Sequence, residues 1–104
     1  MGHSGWEQEA SVIDALIRGM YPSPGTYTYF HGKRIKIHAA FYENSDTAAI
    51  PKGTVVSLKD GNIGVAATHG IIYLTMVQPE NHKRMKTIDF INGYQVKTND
   101  CFEY

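Results

Sequence analysis

The stretch Tyr21-Pro22-Ser23-Pro24-Gly25 divides this chain into two regimes of hydrophobic periodicity. Before it, Trp6, Ala10, Ile13, Ile17 and Met20 recur at helical spacing, with Val12 and Leu16 as a second row. After it, Ile35, Ile37, Ala39 and Phe41 alternate with Arg34, Lys36, His38 and Tyr42, the period of a half-buried strand with a cationic outer face. Pro22 and Pro24 lack the amide hydrogen that a continuing helix needs, so the helix must stop near residue 20. The chain is therefore predicted to be one leading helix followed by a β-rich body.

Local signals fill in that outline. Ser4 and Glu7 have the spacing of a capping box, Gly19 offers a left-handed C-cap, and Arg18 suits the negative end of the helix dipole. Short strands are predicted at 26–30, 54–58, 62–66 and 71–77, separated by His31-Gly32, Pro51-Lys52-Gly53, Asp60-Gly61 and His69-Gly70. Asp60-Gly61 is the sharpest hairpin signal. Regular short strands favour a small barrel, which removes exposed sheet edges, with the first helix packed on it. Met85, Ile88 and Ile91, beside Phe90, predict a short late helix ending at Asn92-Gly93, followed by a last strand near 94–96.

With 104 residues and 42% hydrophobic content, the chain supports one core and so one domain, taken as 6–104 with residues 1–5 set aside as a tag or linker. The longest apolar stretch, Ile71 to Val77, is far shorter than the roughly 20 residues of a membrane span, and no secretory signal is visible. A lone Cys101 cannot form an internal disulfide, which fits a reducing compartment, and the cytoplasm is the expected location. It reads as a small packing residue.

Ten Lys+Arg balance ten Asp+Glu, so any nucleic-acid affinity must come from how charge is distributed. Six of the basic residues lie in two clusters, Lys33-Arg34-x-Lys36 and Lys83-Arg84-x-Lys86, each with histidines nearby. Brought together by the fold, they would form a stripe able to contact several phosphates; left apart, they are solvated surface. Tyr21, Tyr27, Tyr29, Phe30 and Tyr42 surround the first cluster, where exposed rings stack on unpaired bases and buried ones build core. The five histidines show no metal-ligand spacing, the glycines form no phosphate loop, and Cys101, with Asp100 beside it, makes a poor case for a nucleophile. No cofactor, metal or catalytic residue is expected.

Four separated motifs resemble one known domain. They are Ile17-Arg18-Gly19-Met20-Tyr21-Pro22-Ser23-Pro24-Gly25 closing the helix that starts at Trp6, Gly32-Lys33-Arg34-Ile35-Lys36-Ile37, Pro51-Lys52-Gly53-Thr54-Val55, and Gln78-Pro79-Glu80-Asn81-His82-Lys83-Arg84-Met85 with Asp89-Phe90-Ile91-Asn92-Gly93. Their order and spacing resemble the C-terminal domain of methionyl-tRNA formyltransferase over residues 6 to 103.

That resemblance implies a mainly β, small OB-like open β-barrel with an N-terminal helix and a short late helix, appended to a separate folate-binding catalytic domain. It implies an accessory role in holding initiator tRNA, with Lys33, Arg34, Lys36, Lys83, Arg84 and, more weakly, Arg18 as backbone contacts, to which Lys86 is added as the last member of the second basic cluster. The partners it implies are tRNA and a formyltransferase catalytic domain, the latter docked through the first helix. The same domain type also stands behind formyltransferases acting on nucleotide-linked sugars, so the alternative is a structural or interaction domain from such an enzyme, or a free-standing relative, with no RNA contact.

Overall fold

Trp6 lies on a turn ahead of the first helix and not on the helix itself. A computed structural model describes residues 5–20 and 25–103, so the expectations resting on Ser4 and on Tyr21 to Pro24 fall outside the described residues. Gly5–Glu7 forms one 3-10 turn and the helix α1 runs Ala10–Met20. Between them the chain is drawn onto Thr68: Thr68 N–H donates to the Gln8 carbonyl at 3.1 Å, and Ala10 N–H donates to the Thr68 carbonyl at 2.9 Å. These strand-like bonds delay the helix beyond the start that periodicity alone predicts. Within α1 the row Ala10, Ile13 and Ile17 is buried, whereas Val12 of the second row is 46% exposed.

Among the described residues, seven antiparallel strands form the body: β1 (Thr26–Phe30), β2 (Lys33–Asn44), β3 (Val55–Ser57), β4 (Ile63–Ala67), β5 (Gly70–Pro79), β6 (Met85–Lys86) and β7 (Phe102–Glu103). Their order across the sheet is β3-β4-β5-β2-β1-β7, with β6 also on β5. A short seam brings the two ends of this order together: Thr54 bridges Cys101, and Phe102 N–H donates to the Gly53 carbonyl at 2.8 Å. The architecture is the expected small open β-barrel with helices.

Turn chemistry fixes the hairpins. His31 and Gly32 have φ of 50° and 81°, both left-handed, as a tight two-residue connection between twisted strands requires, whereas Asp60 and Gly61, at 60° and 76°, close the 3-10 turn Lys59–Gly61 in a longer connection from β3 to β4. Gly53 is also obligatory: its φ is +94°, and a Cβ there would stand 2.5 Å from the Phe102 carbonyl oxygen at the seam.

The long strand β2 departs from simple alternation. Ile35 and Ile37 face the core, but Ala39 and Phe41 are exposed while Ala40 and Tyr42 pack on the core. The register is irregular between Ile37 and Ala40, and β5 changes in step, its buried residues running Ile72, Leu74, Val77 and Pro79. Both strands therefore switch face at one level, a local bend that lets the sheet curl. A core row of Ile35, Ile37, Ala39 and Phe41 does not form.

The late helix α2 spans Thr87–Tyr94, with Met85 ahead of it on β6 and Ile88 42% exposed. Gln95 at φ 55° ends the helix in the left-handed conformation, and Val96 turns into the core, so the predicted strand at 94–96 is absent. The last strand is β7, where Phe102 is buried and Cys101 is exposed. Cys101 is not the packing residue; its neighbour is.

The core runs from α1 through the barrel interior to α2. It joins Trp6, Ile13 and Ile17 to Phe30, Leu74 and Phe90, with Phe30 contacting both Phe90 and Phe102 ring to ring.

Candidate functional site

Strand alternation splits the first basic cluster. Arg34 and Lys36 lie on the outer face, whereas Lys33 shares the side of Ile35 and is exposed at the barrel rim, where it borders a small cleft with His82 and Tyr94. The tight turn at His31-Gly32 sets Tyr29 opposite Arg34 and Tyr27 opposite Lys36. The Arg34 guanidinium lies 4.7 Å above the Tyr27 ring centroid, a cation–π contact across a diagonal of the hairpin. Gly25, at φ +86°, lets Lys36 pass: a Cβ there would be 2.6 Å from Lys36 Cε.

The second cluster reaches the same end of the sheet through β5. Pro79 pairs with Ile35, and Glu80 N–H then donates to the Arg34 carbonyl at 3.0 Å as the chain leaves the sheet. Gln78 latches the turn that follows. Its Nε2 donates to the His82 carbonyl at 2.8 Å, and its Oε1 shares a 2.8 Å hydrogen bond with His38 Nε2. Asn81 accepts the left-handed φ of 69° that the turn needs. Lys83 and Arg84 follow it, both exposed.

Of the other predicted contacts, Lys86 sits on β6 opposite Met76, which also faces Ala39 across β5, so it lies further along the same sheet. Arg18 lies apart, on α1 beside the β2 bend, with its guanidinium 3.0 Å from the buried carboxylate of Asp14. Lys52 is tied to its own loop, donating to the Thr47 and Ile50 carbonyls at 2.8 and 2.9 Å.

The face is mixed in charge. Glu80 lies 3.8 Å from Arg34, both well exposed, an ion pair that contributes little to stability. Glu103 pairs with Tyr29 at the sheet edge. Reading across, the row runs Glu103, Tyr29, Arg34, Glu80.

Among the aromatic candidates, Tyr27 and Tyr29 lie on this face, Phe30 and Tyr42 pack inward, and Tyr21 is outside the described residues. One aromatic pair escaped the sequence reading. Phe41 and Tyr73 stack at 5.1 Å on the outer face because the β2 bend turns Phe41 out of the core. Burial, with the charge and hydrogen bonding of Glu43 behind it, raises the Tyr73 phenol above its ordinary pKa. Among the described residues no three His, Cys, Asp or Glu side chains gather as a metal set, and no helix is long and apolar enough to cross a membrane. The arrangement supplies fixed cations and flat rings, the equipment of a binding surface.

A family model described as formyl transferase, C-terminal domain, matches residues 3–95. The methionyl-tRNA formyltransferase of Bdellovibrio bacteriovorus is 36% identical over 97 residues, covering 91% of this chain and 30% of that protein. Those of Syntrophus aciditrophicus (41% over 93 residues, 89% of this chain) and Dictyoglomus turgidum (38% over 100 residues, 94% of this chain) are similar in the same way. The chain spans about a third of the length of these curated relatives, 30% and 32% in the last two.

Proposed function

The chain belongs to the formyl transferase C-terminal domain family, and from that premise we propose that it is the non-catalytic, tRNA-holding domain of a methionyl-tRNA formyltransferase-type enzyme. Its role is to grip the RNA backbone and orient it toward a catalytic domain carried outside this chain. Positioning of this kind lowers the barrier by holding reactants together, with the chemistry done elsewhere.

One observation carries the proposal: pairing of β2 with β5 and the Gln78 latch set the turn that leads into Lys83 and Arg84 beside both Lys33 at the rim and Arg34 on the outer face. The second basic run thus starts from the end of the sheet where the first lies, although the whole chain is neutral. Cations on a hydrogen-bonded turn and strand ends lose less freedom on meeting phosphates than cations on a loose tail. Lys36 and Lys86 extend the track along the outer face, and Arg18, engaged with Asp14, is its weakest member.

Fluorescence anisotropy of the chain with initiator tRNA at low and moderate salt tests this. Micromolar binding is expected, weakening as salt rises, and lost when Lys33, Arg34, Lys83 and Arg84 are all changed to Ala. Absence of binding at low salt overturns it and leaves a structural domain docking on its catalytic partner, for which the exposed Val12 side of α1 is the available surface.

A further inference from the structure

We propose that the outer face of the β1–β2 hairpin is a seat for an unpaired nucleotide, whose base stacks on Tyr29 beside the Arg34 guanidinium. The inference rests on the reading that this face meets RNA, and it names which part of an RNA the hairpin takes.

The geometry comes from alternation. Thr28 and Phe30 must point inward to fill the core, so Tyr27 and Tyr29 point outward on the same face, about 7 Å apart at two strand rises. Arg34 lies opposite Tyr29, and its guanidinium covers Tyr27 at 4.7 Å. One ring is thus occupied by the cation, and the other, 40% exposed, is left to a ligand. Tyr27 on one side and Glu80 on the other hold Arg34, so a flat guanidinium stands beside an accessible flat ring.

Charge separates this row from the rest of the basic surface. With Glu103 at one end and Glu80 at the other, the row Glu103, Tyr29, Arg34, Glu80 holds two carboxylates against one guanidinium. It attracts a phosphate backbone less than Lys33 at the adjacent rim and the exposed Lys83 and Arg84 beyond the next turn do. It does offer a π surface, and carboxylates that accept from the amino groups of a base. Paired bases in a duplex keep their faces inside the stack, so the fitting ligand is a single-stranded or bulged nucleotide whose flanking phosphates fall on the lysine rim.

The test compares a short single-stranded oligoribonucleotide with a blunt, fully paired RNA duplex of equal phosphate number, each titrated into the full chain. Tyr29→Ala is expected to weaken the single strand at least about fivefold and leave the duplex and the salt slope unchanged, with Tyr29→Phe restoring binding. Tyr29→Thr, a strong strand former, repeats the measurement should the alanine variant fold poorly. If the chain binds RNA and Tyr29→Ala weakens both ligands equally or neither, the stacking seat is wrong while the tRNA-holding reading stands. If the unaltered chain binds neither ligand at low salt, both readings fall.

Discussion

The indole N–H of Trp6 donates to the Thr28 hydroxyl at 3.1 Å, and that hydroxyl in turn donates to the Glu103 carbonyl at 2.7 Å. A single threonine on β1 thus ties the turn before α1 to the last strand. Trp6 is buried and meets Phe102 edge to face at 6.4 Å, so the three elements share one packed corner.

Thr28→Val keeps the shape of this corner and removes both its hydrogen bonds, leaving a buried indole donor unpaired. A loss of about 1–3 kcal/mol in unfolding free energy is expected from denaturant titration. Trp6→Ala should cost more, about 3–5 kcal/mol, because it also opens a cavity against Phe102. Equal losses for the two variants would argue against a packing role for the ring.

Two glycines should respond in opposite directions to alanine. Gly93 lies exposed inside α2, and an alanine Cβ there would meet nothing within 4 Å, so Gly93→Ala should raise stability by about 0.5–1 kcal/mol. Gly53→Ala forces a side chain into a left-handed φ and against the Phe102 carbonyl, and should lower the midpoint of thermal unfolding. Calorimetry of both variants checks the sign.

On the proposed tRNA-holding role, Glu80, 3.8 Å from Arg34, competes with phosphate for it. Glu80→Gln removes that carboxylate while keeping the backbone bond to the Arg34 carbonyl, so affinity for tRNA at low salt should rise by a few fold. The gain should vanish in an Arg34→Ala background. An unchanged affinity would show that Arg34 does not meet the RNA.

The raised Tyr73 phenol gives a pH dependence with a defined sign. Because the folded state holds this proton more tightly than the unfolded chain, Tyr73 contributes fully below the ordinary phenol value of 10.0, and that contribution is lost as pH rises through the higher folded value. Phenolate absorbance should show a late-titrating tyrosine in the folded protein. Burial is the leading cause and Glu43 the second, so Glu43→Gln should move this titration part of the way back.

Much of the frame was legible in the residues. The hairpin 26–30 with its His31-Gly32 turn agrees with β1, and Asp60-Gly61 marks the turn into β4, because a left-handed pair of turn residues is a local property. The face change at the middle of β2 was not legible. Ile35, Ile37, Ala39 and Phe41 alternate without interruption, and only pairing with β5, which shifts its own buried residues from Leu74 to Val77, turns Phe41 outward. The same limit hid the true last strand. Phe102 follows a small cysteine near the chain end and becomes a strand residue only by meeting Tyr29, Phe30 and the seam at Gly53.

By itself the sequence determined that a helix precedes a β-rich barrel, where its tight turns fall, and which two short runs carry most of the positive charge, since periodicity, turn conformation and charge are properties of neighbouring residues. Tertiary structure decided that Thr68 delays the start of α1, that the strands bend together, and that Lys33 and Arg34 meet the turn leading to Lys83. It also placed Glu80 and Glu103 among the cations and left Tyr29 open beside Arg34. Those outcomes depend on which strands pair and in what register, a choice made by the energy of the whole core and not by any local run of residues.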